Sequence, residues 1–304
     1  MKKDLLTIAE MSTKEINELF ALTADLKKSP EKHSSALKGK SLALIFEKPS
    51  NRTYVSFQVG MFELGGNSIY LGPEQIKLGV RETIHDVAKT LSRFVDGIML
   101  RTFGHDKVLD MAKNAGVPVI NGLSDFAHPC QALADVFTIK EKYGKFKDVD
   151  VAYIGDGNNV CHSLMFCCAK VGLNINIATP AGYEPDKGMV EGALKAAKES
   201  GSRIQLFTDP KKAVKGVDVI YTDVWASMGQ EQEAQKRKKD FKDFQVSKGL
   251  ASLADKDYLI MHCLPAHRGE EIDDVIDSDH SIVFDQAENR LHVQKAILIK
   301  LIRG

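Results

Sequence analysis

The sequence predicts an α/β protein made of two doubly wound parallel-sheet domains joined by a connecting helix, and three observations carry that prediction. Short apolar stretches bounded by turn residues alternate with segments of helical period, the grammar of a parallel sheet covered by helices. The same alternation restarts after Gly144 and Lys145. A chain of 304 residues is long enough for two domains that each bury a core of their own, and a two-domain enzyme commonly keeps its ligands in the cleft between them. In the first series the strand candidates are SLALIF (41–46), DGIML (96–100) and VPVIN (117–121), and the helical segments include RTYVSFQVGMFELGG and ETIHDVAKTLSRF. Within the first of these helices Val55, Val59 and Phe62 recur at helical spacing before Gly65 and Gly66 end it. PCQALADVFTIKEKY (129–143) has helical period and lies between the two series, as a connecting helix would. The second series supplies DVAYIGD, NINIATP, RIQLFTD, DVIYTDV, DYLIMHC and SIVFDQ as strands. The final ENRLHVQKAILIKLIRG is an amphipathic helix able to cross back onto the first domain. The expected boundaries are 1–140 for the first domain, with 287–304 packing back on it, and 141–286 for the second. The charged stretch MGQEQEAQKRKKDFKDFQVSKG (228–249) has few apolar anchors and reads either as a solvated surface helix or as a mobile lid.

Lys plus Arg equals Asp plus Glu at 41 each, so no global field exists to hold nucleic acid or an anionic membrane, and any anion site must be built locally. The N-terminal MKKDLLTIAEMSTKEI lacks the apolar centre of a signal peptide, and no run approaches the roughly 18 apolar residues of a membrane span. A soluble, cytoplasmic protein is expected. The five cysteines, Cys130, Cys161, Cys167, Cys168 and Cys263, are odd in number and form no C-x-x-C pair, which speaks against a disulfide framework and against a thiolate zinc site. Cys167 and Cys168 sit in the apolar run SLMFCCAKVG and read as buried helix residues.

After SLALIF comes EKPSNRT, and a helix opens at Arg52. Strand, short polar loop and helix N-terminus make an anion site, with free backbone N–H groups, the hydroxyls of Ser50 and Thr53 and the guanidinium of Arg52 facing the ligand. A capping serine beside an exposed arginine would look the same. The nucleotide loop G-x-x-x-x-G-K-[ST] is absent, and GDGNNV (155–160) places Val160 where a dinucleotide turn needs its third glycine, so a small phosphorylated ligand fits better than a nucleotide. A second strand ends in Arg101 and Thr102, and a third segment supplies Asp125-Phe126-Ala127-His128-Pro129-Cys130-Gln131, with Pro129 suited to a first helical turn. Taken singly, His128 could equally be a cap or a satisfied structural residue. Together, three strand ends offer Arg52, Thr53, Arg101, His128 and Gln131, all donors suited to a phosphate or a developing oxyanion.

The second series offers a different chemistry: Asn158 and Asn159 after one strand, Asp223 with Ser227, Met228 and Gly229 after another, and His262-Cys263-Leu264-Pro265 after a third. A carboxylate suits an ammonium and amides suit a carboxylate, so a zwitterionic amino acid is the expected ligand. Cys263 as a covalent nucleophile is the alternative, but no separate base is evident for it.

FEKPSNRT, MLRT, HPCQ, GDGNN, DVWASMG and HCLPAHR occur in the order found in the aspartate and ornithine carbamoyltransferases, which this chain resembles over essentially its whole length. The resemblance implies two doubly wound α/β domains, the first binding carbamoyl phosphate and the second ornithine, assembled as a cytoplasmic homotrimer with no metal or organic cofactor. It implies that Ser50, Asn51, Arg52 and Thr53 grip the phosphate with help from Arg101, His128 and Gln131, that Arg290 contacts carbamoyl phosphate, and that Cys263 and Leu264 lie near the reacting amine and carbamoyl group. It further implies that Asn159, Asp223, Ser227 and Met228 form the ornithine site, and that Lys77 in EQIKLG reaches a neighbouring subunit's phosphate site. Arg52, Arg101, His128 and Cys263 are the residues it places at the chemistry. The family loop is commonly Ser-Thr-Arg-Thr-Arg. Here Asn51 keeps an amide donor, whereas Tyr54 removes one cationic side chain.

The reaction so implied moves the carbamoyl group of carbamoyl phosphate to the δ-amine of L-ornithine, giving L-citrulline and phosphate, with arginine biosynthesis as the expected direction. The nearest rivals are sister enzymes acting on aspartate, putrescine or an acylated ornithine. A dehydrogenase is countered by Val160, and a non-catalytic amino-acid-binding regulatory protein by the retained Arg52, Arg101 and His128.

Overall fold

The computed structural model describes residues 3–227, 229 and 231–303. The chain divides into two compact units, one formed by Met1–Phe137 with Glu288–Gly304 and the other by Thr138–Ala287. The elements of the first unit are α1 (Thr13–Lys28), β1 (Ser41–Phe46), α2 (Asn51–Glu63), β2 (Asn67–Leu71), α3 (Pro73–Ile76), α4 (Ile84–Leu91), β3 (Gly97–Arg101), α5 (His105–Asn114), β4 (Val119–Leu123) and the start of α6 (Pro129–Tyr143). The second unit continues with β5 (Asp150–Ile154), α7 (Asn159–Val171), β6 (Asn174–Ala178), α8 (Lys187–Ser200), β7 (Ile204–Phe207), α9 (Pro210–Val214), β8 (Val219–Thr222), α10 (Ala234–Asp240), α11 (Lys248–Ala251) and β9 (Leu259–His262). The last helix, α12 (Val283–Ile302), begins in the second unit and ends in the first.

Both sheets are wholly parallel. The first has strand order β2-β1-β3-β4 and the second β7-β6-β5-β8-β9, so each chain path starts in the middle of its sheet and winds outward in both directions. Central strands of such a sheet face helices on both sides and are therefore apolar along their length. SLALIF and GIMLR meet that requirement, buried from Leu42 to Phe46 and from Gly97 to Arg101. β2 lies at the sheet edge with every residue half-buried or exposed, and for that reason its sequence NSIYL carries no continuous apolar run to betray it. The first core gathers Ala43, Ile45, Ile98 and Leu100 under Val87, Val108 and Met111 of the helices. The second gathers Ala152, Ile154, Ile220 and Ile260 under Trp225, Phe241, Val246 and Ile272.

Two expectations are corrected. SIVFDQ is not a strand: Ser281 makes a single bridge to Ile260 and the helix starts two residues later at Val283, because the apolar pair Ile282 and Val283 belongs to a helical register. The apolar stripe expected of α2 is also misplaced. Val55 is 50% and Phe62 79% exposed, whereas Thr53, Ser56, Phe57, Gly60 and Met61 face inward. Gly60 lets α12 approach α2, since an added Cβ would stand 3.3 Å from Lys295 Cγ. The buried Lys295 ammonium then reaches Glu63 at 2.6 Å, while Lys300 pairs with Glu18 and Lys27 with Asn289, so α12 is tied to both α1 and α2.

The turn GDGNN after β5 owes one of its glycines to a close backbone approach. A Cβ on Gly157 would lie 2.3 Å from Pro185 N and 2.5 Å from Glu184 C, and the Gly157 N–H donates to Tyr183 O at 2.9 Å. Gly157→Ala should therefore displace the 183–185 loop and destabilise the protein by about 1–3 kcal/mol, read as a lowered midpoint in urea unfolding with an unchanged m-value.

Candidate active site

In the first unit the functional side chains gather at the carboxyl ends of β1, β3 and β4. Ser50 caps α2, accepting from the Thr53 N–H at 3.2 Å, and Asn51 Oδ1 accepts from the Arg52 N–H at 2.7 Å. The leading donors of this helix end are thus held by side-chain oxygens that an anion would have to replace. The buried Thr53 hydroxyl accepts from two guanidiniums, Arg101 Nη1 at 3.5 Å and Arg290 Nη2 at 3.2 Å. Arg290 also donates through Nη1 to Gln131 Oε1, and Gln131 Nε2 donates to Asp135 Oδ1 at 2.8 Å. His128, buried just before α6, has its pKa held well below the ordinary imidazole value, first by burial and then by the charges of Arg290, Arg101 and Arg52. The imidazole is consequently neutral at pH 7.

Ser50, Asn51, Arg52, Thr53, Arg101, His128, Gln131 and Arg290 thus come together although they derive from four separate parts of the chain. Lys77 stands apart, exposed at the end of α3 with its ammonium 3.9 Å from Glu74. Tyr54 packs against Tyr70, ring centroids 4.8 Å apart, and against Phe46. Residues that sequence reasoning passed over hold the loops in place. The buried Lys48 ammonium pairs with Asp125 and lies 4.3 Å from the centre of the Phe103 ring, joining the β1 loop to the loop of His128. Glu47 accepts from the Thr102 hydroxyl and, at 2.7 Å, from Lys107. Both lie inside FEKPSNRT, and their place between strand end and helix cap was the available signal.

In the second unit Asp223 follows β8 and is the hub. Its Oδ2 accepts from Asn158 Nδ2 at 2.8 Å, and its Oδ1 accepts from the Val224 N–H at 2.8 Å and from the Cys263 thiol at 2.8 Å. Asn158 caps α7, its carboxamide oxygen accepting from the Val160 and Cys161 N–H groups. Asn159 is buried at the first position of that helix, Ser227 is half-buried, and Leu264 adopts φ +57° beside Cys263. Met228 lies outside the described residues. Cys130, Cys161, Cys167 and Cys168 are buried and only Cys263 is partly open.

Of the stretch 228–249, the described part is neither a fully solvated helix nor a weakly anchored lid. Phe241, Phe244 and Val246 are buried in the second core. The Arg237 guanidinium, also buried, donates to Asp156 Oδ2 at 2.7 Å and to Trp225 O at 2.9 Å, and its Nε reaches Glu233 at 3.1 Å. Burial raises the Asp156 carboxyl pKa against the opposing pull of Arg237. A run of charges conceals this anchor, because the one arginine that turns inward is surrounded by lysines that do not.

Among the described residues two groups have side-chain spacings short enough for a cation: Asp223 with His262 and Cys263, and His267 with Glu270 and Glu271. In the first, His262 Nδ1 accepts from the Leu264 N–H at 2.8 Å and Nε2 meets Glu271 at 3.2 Å, so a metal would have to displace an existing partner. In the second, Glu270 is paired with Lys238 at 2.6 Å.

A unit whose strand ends gather guanidiniums and a second unit centred on a carboxylate with amide neighbours match known proteins in sequence as well. Residues 3–141 match the aspartate/ornithine carbamoyltransferase carbamoyl-P binding domain, and residues 147–301 match the aspartate/ornithine carbamoyltransferase Asp/Orn binding domain. The chain belongs to the aspartate/ornithine carbamoyltransferase family and is a carbamoyltransferase. Among its relatives, the ornithine carbamoyltransferase of Pyrococcus horikoshii is 56% identical, with 99% of this chain and 96% of that protein aligned. The anabolic ornithine carbamoyltransferase of Pyrococcus furiosus is 55% identical, with 99% and 97% aligned. The solved ornithine carbamoyltransferase structure from Pyrococcus furiosus superposes with a TM-score of 0.96 at 54% identity, covering 99% of this chain and 97% of that one. That from Thermus thermophilus gives 0.89 at 45% identity, covering 99% of each chain.

Three imidazoles of the first unit, His105, His128 and His292, have depressed pKa values, each chiefly through burial. Below the ordinary value of about 6.5 the unfolded chain binds protons that the folded chain refuses. Stability is therefore fully present above about pH 6.5 and should fall as pH drops through the window down to the folded values. Denaturant midpoints measured from pH 7.5 to 5 should decline, and His128→Gln should flatten part of that slope.

Proposed function

We propose that this chain transfers the carbamoyl group of carbamoyl phosphate to the δ-amine of L-ornithine, releasing L-citrulline and phosphate. The observation that carries the reading is the set of three guanidiniums, Arg52, Arg101 and Arg290, around a neutral His128 in the unit that matches a carbamoyl-P binding domain. The names of the relatives support ornithine as the acceptor. On this reading Ser50, Asn51, Arg52 and Thr53 grip the phosphate at the α2 N-terminus, with Gln131 and Arg290 holding the carbamoyl end. Thr53, Arg101 and His128 stabilise the carbonyl oxygen as it gains charge, an effect of roughly 3 kcal/mol per well-placed donor. A neutral imidazole suits this task, because it donates one hydrogen bond without adding a fourth positive charge.

Asp223 orients the α-ammonium of ornithine, Asn159 its carboxylate, and Ser227 and Met228 complete that site beside Cys263 and Leu264. The amine must attack uncharged, although its ordinary pKa is about 10. Nitrogen bonds to the carbamoyl carbon, the tetrahedral intermediate collapses, and the carbon–oxygen bond to phosphate breaks as Arg52 steadies the departing dianion. Cys263 Sγ lies 2.8 Å from Asp223 Oδ1. The amine proton leaves with the phosphate, to solvent or to Cys263 as a thiolate.

The same reading includes a cytoplasmic homotrimer working in arginine biosynthesis, with Lys77 serving a neighbouring subunit's phosphate site. Support comes from the anabolic relative, from the exposed position of Lys77, and from Val55, Phe62, Ile69 and Tyr70, apolar side chains that α2 and β2 leave open. Among the described residues no helix is long and apolar enough to cross a membrane.

Phosphate release should occur with ornithine and not with putrescine or aspartate, and Arg52→Ala should lower it by roughly 10²- to 10³-fold. Turnover with putrescine would move the acceptor assignment to a diamine. Mixed assemblies of Arg52→Ala and Lys77→Ala chains should regain activity that neither variant shows alone, since some sites would then hold both native residues. An absence of regain would refute the shared site.

A further inference from the structure

The loop after β9 carries Cys263 and Leu264, and its geometry is set by a residue eight places beyond Cys263. His262 is completely enclosed, with 0% of its side chain exposed. The Leu264 N–H donates to His262 Nδ1 at 2.8 Å, so Nδ1 is the unprotonated nitrogen and the ring proton sits on Nε2. That nitrogen faces Glu271 Oε1 at 3.2 Å, and the same oxygen accepts from the His267 N–H at 2.5 Å. Glu271 is as fully enclosed as the histidine, its Oε2 is buried without a hydrogen-bond partner, and His267 Nδ1 is 3.6 Å away. The backbone carbonyl of Glu271 accepts from the Val246 N–H at 2.9 Å, which fixes it to the end of the charged stretch.

A carboxyl group removed from water with one oxygen idle is a poor packing choice and a good acceptor, and the hydrogen bonds explain its presence. We infer that Glu271 is a positioning residue that holds His262 in the Nε2–H tautomer, so that Nδ1 captures the Leu264 N–H and sets Cys263 against Asp223. Were the proton on Nδ1, two donors would face each other across the His262–Leu264 contact. The Leu264 backbone would lose the bond that keeps a non-glycine residue at φ +57°, a conformation side chains rarely adopt. Cys263 Sγ, 2.8 Å from Asp223 Oδ1, would move with it. The inference rests on the proposed reaction for its kinetic consequences, while the tautomer and the thiol geometry stand independently of turnover.

The test uses the full-length protein with ¹⁵N-labelled histidine, comparing wild type with Glu271→Gln and Glu271→Leu. In the wild type His262 should show a protonated Nε2 and an unprotonated, hydrogen-bonded Nδ1. Glu271→Gln retains an oxygen acceptor and should keep both the tautomer and activity within a few-fold. Glu271→Leu, similar in volume but without an acceptor, should lower kcat by roughly 100-fold, the scale at which small displacements of reacting groups act, while KM for carbamoyl phosphate stays within a few-fold. Alkylation of Cys263, the only cysteine that is not buried, should change rate in the leucine variant and return towards wild type in the glutamine variant. A wild-type His262 protonated on Nδ1 would overturn the inference, as would a folded leucine variant with wild-type kcat and alkylation rate. If the leucine variant does not fold, the tautomers of the wild type and the glutamine variant decide. If the wild type shows no ornithine turnover, the proposed reaction fails, yet tautomer and alkylation still answer for Glu271.

Discussion

Three guanidiniums and a buried imidazole share one end of the first sheet, and holding like charges together against their repulsion is the constraint that the rest of this unit answers. Each cation is carried by a separate rigid support: Arg52 by the first turn of α2, Arg101 by the last residue of β3, and Arg290 by α12. The Thr53 hydroxyl and the Gln131 amide give two of them neutral acceptors. Gln131 passes the contact on to the buried Asp135, two hydrogen bonds from Arg290. The imidazole yields instead: burial first, and then the charges of Arg290, Arg101 and Arg52, keep it neutral, so that a fourth charge is not added. Like charges gathered in this way repel one another, and an anion placed among them would lessen that repulsion.

The second unit solves a different problem on the same architecture. Its functional side chains again follow strand ends, but they centre on a single carboxylate, with an amide and a thiol as its side-chain donors. Asp223 is held from both sides, by the helix cap Asn158 and by the loop of Cys263. The Arg237 anchor steadies the neighbouring Trp225 backbone. The two sites thus differ in charge and agree in construction: a parallel strand sets the height of a side chain, and the following helix or loop sets its direction.

Much of this was legible because parallel sheets write themselves as apolar runs, and SLALIF, GIMLR and DVAYI could be read without neighbours. The edge strand NSIYL was not, since one of its sides has no partner and its burial pattern is broken. Val55 and Phe62 misled because helical spacing shows that residues share a face and not which face turns inward; Phe57, Gly60 and Met61 face inward instead. At the site, residues inside short loop motifs could be found, whereas Arg290 was reachable only through family resemblance, being 237 positions from the threonine it touches. Lys48, Arg237 and Glu271 escaped notice for a common reason. A charged residue in sequence looks like surface, and only the packing shows which one turns inside: Arg237 and Glu271 beside partners that are buried too, Lys48 beside an Asp125 that stays exposed.

The path of α12 has a consequence for how the protein is born. The first unit consists of Met1–Phe137 and Glu288–Gly304, whereas the second is one unbroken stretch. During synthesis the sheet of the first unit emerges early but lacks the helix that carries Arg290, Lys295 and the apolar residues Ile297 and Leu298. At ribosomal speeds of roughly 5–20 residues per second, the wait for that helix lasts on the order of ten to thirty seconds. Throughout it the second unit can close on its own contacts, while in the first Glu18, Lys27 and Glu63 still lack the α12 side chains they pair with. The order of completion is therefore the reverse of the order of translation: the unit begun first waits for the helix made last.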